Sequence, residues 1–362
     1  MSDNTLSATL QPKSAPATSP SPMKYNNLGR SGLKVSKIIL GAMGYGDPVM
    51  EKWVITEDKA LPLLEHAYKR GINTWDTADI YSQGKSEEII AKAIKTYNIP
   101  RSHLVIMTKC FFGVDPYLVR DGKFDVMASM INDGVMVNRV GLSRKHIFDA
   151  VEASVTRLGT YIDVLQIHRL DRDTPPEEIM KALNDVVESG KVRYLGASSM
   201  AAWEFQMLNN VAEKHGWHKF ISMQNYHNLL DREEEREMHP YCSYAGVGLI
   251  PWSPLAQGIL TRPWKSSTDS VRAANNAYAS LISNDGDKAV VERLEEVANR
   301  LGQSMAKVAI AWSIKKGVNP ILGLQNIERI DEAVEAAALE LSEEDVKLLE
   351  EPYRAKARAP IY

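Results

Sequence analysis

Eight short strand-like runs alternating with helical stretches, in a chain of 362 residues with 44% hydrophobic side chains, predict an α/β fold. The expected architecture is a (β/α)8 TIM barrel with an N-terminal hairpin and long post-strand loops. Regular alternation of strand and helix argues for a parallel sheet, and a count of eight suits a closed barrel better than an open sheet. The length alone would accommodate two domains, but single barrels reach this size.

The elements follow in order. Residues 1–22 (MSDNTLSATLQPKSAPATSPSP) are rich in Ser, Thr, Pro and Ala and nearly lack large apolar groups, so they read as a disordered tail. The barrel is expected over residues 23–352, with a short tail over 353–362. KYNNLG and LKVSKIIL flank the turn Gly29-Arg30-Ser31-Gly32 and predict a hairpin. Barrel strands are predicted at 36–40 (SKIIL), 72–76 (INTWD), 103–108 (HLVIMT), 161–167 (YIDVLQI), 192–197 (VRYLGA), 220–224 (FISMQ), 247–252 (VGLIPW) and 319–323 (NPILG). Helices are predicted at 57–70, 86–97, 144–159, 176–190, 202–216 and 306–317. The first closes on Lys69-Arg70-Gly71, two cations and a glycine suited to a helix C-terminus. Two polar stretches, 111–143 and 258–287, break the rhythm, the second preceding a helical run at 291–302. Both follow a strand, where barrels of this kind carry their functional loops.

A net charge of −3 shows no bias toward nucleic acid or anionic membrane, and no apolar run approaches the roughly 18 residues of a membrane span. Cys110 and Cys242 are too few for a disulfide framework, and no signal segment opens the chain. A soluble protein in a reducing, cytoplasmic compartment is therefore expected.

Chemistry concentrates at the strand ends. The second strand ends in Asp76, with Tyr81 just beyond it; the third runs into Lys109, and the fourth into His168. In a parallel barrel these ends meet on one face. The order Asp, Tyr, Lys, His resembles the tetrad of the aldo-keto reductases, whose entry motif Asp-x-Ala-x-x-Tyr is DTADIY here. Carbonyl reduction delivers hydride to carbon and a proton to oxygen, and a free phenol with a pKa of about 10 is a reluctant donor. An ammonium at Lys109 favours the phenolate and is expected to bring Tyr81 toward working pH, with Asp76 holding that ammonium. The resemblance implies that His168 donates to the carbonyl oxygen. No metal is required. Taken singly, Asp76 and Lys109 also read as a structural ion pair, and His168 as a satisfied strand-end histidine.

The resemblance spans most of the chain, from about residue 24 to 352, and implies further positions. Ser198 and Ser199 in GASS, with Gln224, match the segment that binds the nicotinamide carboxamide; most members carry asparagine where Ser199 stands. Trp252 takes the place of a ring-stacking tyrosine, and Ser253 and Leu255 follow along the cofactor diphosphate. NADPH/NADP+ is the implied cofactor, its ribose phosphate held by Arg329 with Gln325 as polar partner, on a helix that Asn326 caps. Gly323 replaces a lysine common in the family. The alternative for Arg329 is a surface pair with Glu332. DTADIY, LQIHRLD, GKVRYLGASSM, MQNYHNLLDREEEREM and GLIPWSPLAQG are similar to the fungal branch holding aryl-alcohol dehydrogenases and versiconal hemiacetal acetate reductase. That resemblance implies NADPH-dependent reduction of aromatic or bulky aldehydes and ketones, reversible with NADP+. The expected partner is a small carbonyl or alcohol substrate. Potassium-channel β subunits share the barrel and tetrad, so a cofactor-sensing binding module is the alternative from another class.

Other signals carry less. Tyr81 and Lys85 have the Tyr-x-x-x-Lys spacing of short-chain dehydrogenases, which needs one helix face; Gly84 in a post-strand loop argues against it. Gly41, Gly44 and Gly46 lack the order of a dinucleotide fingerprint. His215 and His218 have no Cys or carboxylate cluster beside them and read as a solvated helix end. Residues 232–236 read as a solvated helix face.

Overall fold

The computed structural model describes residues 23–120, 123–266 and 285–356. The predicted tail at 1–22, the middle of the 258–287 stretch and the last six residues lie outside that range. Strands β1 (Tyr25–Asn27) and β2 (Lys34–Ser36) form the expected antiparallel hairpin, with Asn26 opposite Val35. Then come β3 (Ile39–Gly41), helix α1 (Glu57–Lys69), β4 (Thr74–Asp76), α2 (Lys85–Thr96) and β5 (Val105–Cys110). A small hairpin, β6 (Val119–Arg120) and β7 (Lys123–Phe124), lies inside the first polar stretch. The alternation resumes with α3 (Arg144–Leu158), β8 (Ile162–Ile167), α4 (Pro176–Glu188), β9 (Val192–Ser198), α5 (Ala202–His215), β10 (Phe220–Gln224), α6 (Met238–Ala245) and β11 (Gly248–Leu249). It ends with α7 (Asp285–Leu301), α8 (Met305–Lys315), β12 (Ile321–Leu322), α9 (Ile327–Ala336) and α10 (Glu343–Glu350).

The order β11-β10-β9-β8-β5-β4-β3-β12 is parallel throughout. The ring closes between its two ends, where Asn319 N donates to Leu249 O and Ile321 N to Pro251 O, each at 2.9 Å. The seventh strand is shorter than predicted because Pro251 has no N–H for a regular ladder. The first begins later, since Ser36 belongs to the hairpin.

Side chains alternate along each strand, so every second residue enters the barrel. Val105, Met107 and Lys109 of β5 are one such row. At the lower level Ile39, Val105, Met107, Val164, Ile250 and Ile321 form an apolar cluster, closed beneath by Leu28 and Val35 of the hairpin. Gly29 permits this closure. At φ +58°, an added Cβ would lie 2.3 Å from Gly246 O and 2.5 Å from Gly248 N, a backbone clash that cannot relax. With the amino end plugged, polar side chains collect at the carboxyl ends of the strands.

Helices α7 and α10 stand outside the alternation. They share a second core in which Val290, Leu294 and Val297 pack with Trp312 and Leu349. Beside it, residues 232–236 are not a solvated helix face. Glu233–Glu235 is a single 3-10 turn, Glu234 is buried and accepts from Asn225, and Arg232 grips Glu235 and reaches Glu350 at 2.6 Å. Opposite charges meet there across 118 residues of chain, a pairing that a local run of Arg and Glu does not disclose.

Candidate active site

Lys109 ends its inward row at 0% exposure, beside Asp76 at 2%. A buried ammonium must be compensated, and Lys109 Nζ donates to Asp76 Oδ2 at 2.6 Å, to Thr77 O at 2.8 Å and to Tyr81 Oη at 3.4 Å. The chain between Asp76 and Tyr81 is held against β5, Thr77 N donating to Met107 O and Asp79 N to Lys109 O. That returns Tyr81 over the lysine. His168 follows β8, its N–H donating to Cys110 O at 3.0 Å. Its ring stands edge-on to Tyr81 at 5.8 Å and to Phe112 at 4.9 Å. The structure thus brings Asp76, Tyr81, Lys109 and His168 together from three strands.

The electrostatics differ from the expectation in one respect. Burial pushes the Tyr81 phenol above its ordinary pKa, and the pull of Lys109 in the other direction does not overcome it. Desolvation of the phenolate outweighs one ammonium at 3.4 Å. The phenol therefore keeps its proton, the form a donor needs. Burial alone would lower the Lys109 pKa, but the Asp76 carboxylate and the Tyr81 phenol outweigh it, leaving a stable ammonium. Burial, followed by Lys109 and Arg169, holds His168 well below the usual imidazole value, so its ring is neutral. Its Nδ1 is buried with no hydrogen-bond partner among the described residues.

Around this centre lies a belt of amides and hydroxyls. Ser198 Oγ donates to Gln224 O at 2.8 Å and lies 3.1 Å from Ser199 Oγ. Ser199 N points to Asn225 Oδ1 at 3.1 Å. Gln224 Nε2 contacts Asp76 Oδ1 at 3.0 Å, placing this predicted residue against the tetrad. Trp252 is half-buried, its ring 4.6 Å from that of Tyr226, and Ser253 O accepts from Asn228 Nδ2. Leu255 packs at the junction of the two cores. Among the described residues, six of the eight non-glycine residues with left-handed φ lie on this rim: Ser82 and Gln83 after Tyr81, Ser199 after β9, and Ser253, Ala256 and Gln257 after β11. Backbone strain of this kind, about 1–3 kcal/mol each, accompanies sites whose surroundings hold them in place.

At the edge of the same face, Asn326 caps α9 by accepting from Arg329 N at 2.8 Å. Arg329 is exposed, and its guanidinium has no carboxylate partner among the described residues. Glu332, the surface mate of the alternative reading, instead accepts from Ser304. Gln325 is committed elsewhere, donating to Trp53 O at 2.7 Å and Gly44 O at 3.4 Å. It ties the loop after β3 to the eighth strand end.

A family model for the aldo/keto reductase family matches residues 37–354. The chain belongs to the aldo/keto reductase family. It is 60% identical over 345 residues to versiconal hemiacetal acetate reductase of Aspergillus parasiticus, covering 93% of this chain and 99% of that protein. A Schizosaccharomyces pombe protein provisionally named an aryl-alcohol dehydrogenase is 54% identical over 343 residues, 92% of this chain and 96% of its own. An aldo-keto reductase of Alternaria alternata is 51% identical over 339 residues, 92% of each. This aldo/keto reductase is accordingly an oxidoreductase with a barrel fold. Among its described residues no helix is long and apolar enough to cross a membrane.

Sequence reasoning missed Gln166, Asn225 and Arg169. Gln166 had a signal, since it is a lone amide amid the apolar run of β8; Asn225 and Arg169 are visible only through their contacts. The discounted signals resolve as surface and packing features. Lys85 pairs with Glu88, His218 contacts Glu188, and His215 stacks on Trp217.

Proposed function

We propose that this aldo/keto reductase catalyses NADPH-dependent reduction of aromatic or bulky aldehydes and ketones to alcohols, reversibly with NADP+. The observation that carries the reading is the Tyr81 phenol, 3.4 Å from a buried lysine that is itself 2.6 Å from Asp76. The reduced nicotinamide, when bound, supplies the hydride for the carbonyl carbon. Tyr81 gives its proton to the carbonyl oxygen, and Lys109 stabilises the phenolate left behind until solvent returns a proton. Asp76 keeps the ammonium in place, and neutral His168 orients the carbonyl by hydrogen bonding. A panel of aldehydes, ketones and aryl alcohols with NADPH or NADP+ tests this. Saturable turnover of aromatic aldehydes is expected, whereas slow, poorly saturating turnover with tight tetrameric assembly would favour a cofactor-sensing binding module.

Ser198, Ser199 and Gln224 supply the hydrogen-bonding belt for the carboxamide, Trp252 the face for the ring, and Ser253 and Leu255 the wall along the diphosphate. Arg329 holds the ribose phosphate. Among the described residues its guanidinium lacks a carboxylate partner, and a dianion offers the bidentate contact it is shaped for. The capped first turn of α9 adds N–H groups and a favourable dipole. Gln325, tied to Trp53 and Gly44, positions that loop. Replacing Arg329 with Ala is expected to weaken NADPH by about tenfold or more, in keeping with roughly 1.5–3 kcal/mol for a charged hydrogen bond, and barely to change NADH. Fluorescence titration of both cofactors checks it; equal losses would remove the assignment.

Residues 111–143 form part of the substrate wall. Phe112 is buried against Ile80 and Tyr81, with Phe124 packed beside it, whereas Tyr117 is 71% exposed. Shortening the stretch beyond Phe112 should alter KM values across a substrate panel more than cofactor affinity. Unchanged KM values throughout would assign the segment no part in substrate binding.

A further inference from the structure

Gln166 is fully buried in the barrel interior between Asp76 and Gln224. Its Nε2 donates to Asp76 Oδ1 at 2.8 Å, and its Oε1 accepts from Gln224 Nε2 at 2.8 Å. Gln224 Nε2 also donates to Asp76 Oδ1 at 3.0 Å. An amide nitrogen has two hydrogens, so both of those on Gln224 are spent inside the protein. Among the described residues no donor reaches Gln224 Oε1. Space for this arrangement comes from β9, where a side chain at Gly196 would place Cβ 2.9 Å from Gln166 Cγ.

The direction of the chain is not arbitrary. A carboxylate salt-bridged to Lys109 only accepts hydrogen bonds, so both neighbouring amides must turn nitrogen toward it. With Gln166 so oriented, its own oxygen demands nitrogen from Gln224. Flipping Gln224, which is 3% exposed, would set its oxygen against two other oxygens at a buried position, where unsatisfied polar groups are costly.

We propose that Gln166 is a positioning residue that locks the Gln224 amide with its nitrogen inward, so that Gln224 meets the nicotinamide end of the cofactor only as a hydrogen-bond acceptor and selects an N–H donor there. The same Asp76 that holds the catalytic ammonium thereby sets the polarity of cofactor recognition. This rests on the cofactor reading given above.

The test compares NADPH with its 3-acetylpyridine analogue, in which a methyl group replaces the amide NH2, by fluorescence titration of the full chain. The wild-type protein is expected to prefer NADPH by about tenfold, the cost of leaving a buried acceptor unpaired. Gln166→Met should reduce the preference to within about threefold, with the loss falling on NADPH alone. In a Gln224→Met background, adding Gln166→Met should change the preference no further, because Gln166 acts through Gln224. Gln166→Asn keeps an amide but is one methylene too short to bridge, so it should behave like Gln166→Met and serves if that variant does not fold. An unchanged preference in a folded variant, equal losses for both cofactors, or an effect that persists without Gln224 would overturn the proposal. Equal binding of both cofactors by the wild-type protein would overturn it too, while leaving the reductase reading intact. Binding of neither would remove that reading as well.

Discussion

Tyr81→Phe is expected to lower carbonyl reduction by about 10²–10⁴-fold, the usual contribution of a positioned general acid, while NADPH binds as before. The change deletes one oxygen and retains the ring, so the edge-on contact with His168 and the packing against Phe112 survive. What is lost is the proton that burial keeps on the phenol and the phenolate that Lys109 would stabilise. Neither neighbour can substitute. The His168 ring is held neutral far below its ordinary pKa, so it has no imidazolium proton to give, and the Lys109 ammonium is held by Asp76 and Thr77 O. Single-turnover kinetics with saturating NADPH separate the chemical step from binding. Turnover within a fewfold of wild type would remove Tyr81 from the donor role.

Lys109→Met should damage both activity and stability. Lys109 and Asp76 form a pair with side-chain exposures of 0% and 3%, and taking away one partner of such a pair strands a buried charge, typically at a cost of about 3–5 kcal/mol. The remaining donors to Asp76, the amides of Gln166 and Gln224, both converge on Oδ1 and leave Oδ2 without the ammonium it paired with. Chemical denaturation should therefore show a loss of that size. Adding Asp76→Asn removes the stranded charge and should recover much of the stability but none of the activity. A Lys109→Met protein as stable as wild type would mean that Asp76 takes up a proton or admits water at little cost.

Much of this architecture was legible in the chain. A strand-forming run and the helix after it are written in the spacing of neighbouring apolar residues, and in a parallel barrel the ends of successive strands share one face. Hence Asp76, Tyr81, Lys109 and His168 can be gathered from positions spread over three strands, and Asn326 recognised as a helix cap, from the chain alone. The irregular ends were harder to read. Pro251 truncates the seventh ladder, and Ser36 falls to the hairpin rather than the first barrel strand, because edge hydrogen bonds depend on partners far away in the chain.

Four outcomes rested on the folded state. The phenol of Tyr81 stays protonated because burial outweighs a neighbouring ammonium, and burial depends on every element that packs around a group. Gln325 turns to Trp53 and Gly44, and Arg232 reaches Glu350 as well as its sequence neighbour Glu235. Gln166 links Asp76, 90 residues earlier, with Gln224 in the next strand but one. Periodicity is a local property, set by residues a few positions apart, so the chain carries it openly. Desolvation and hydrogen-bond direction arise where distant segments exclude water together, and they exist only once the barrel has closed.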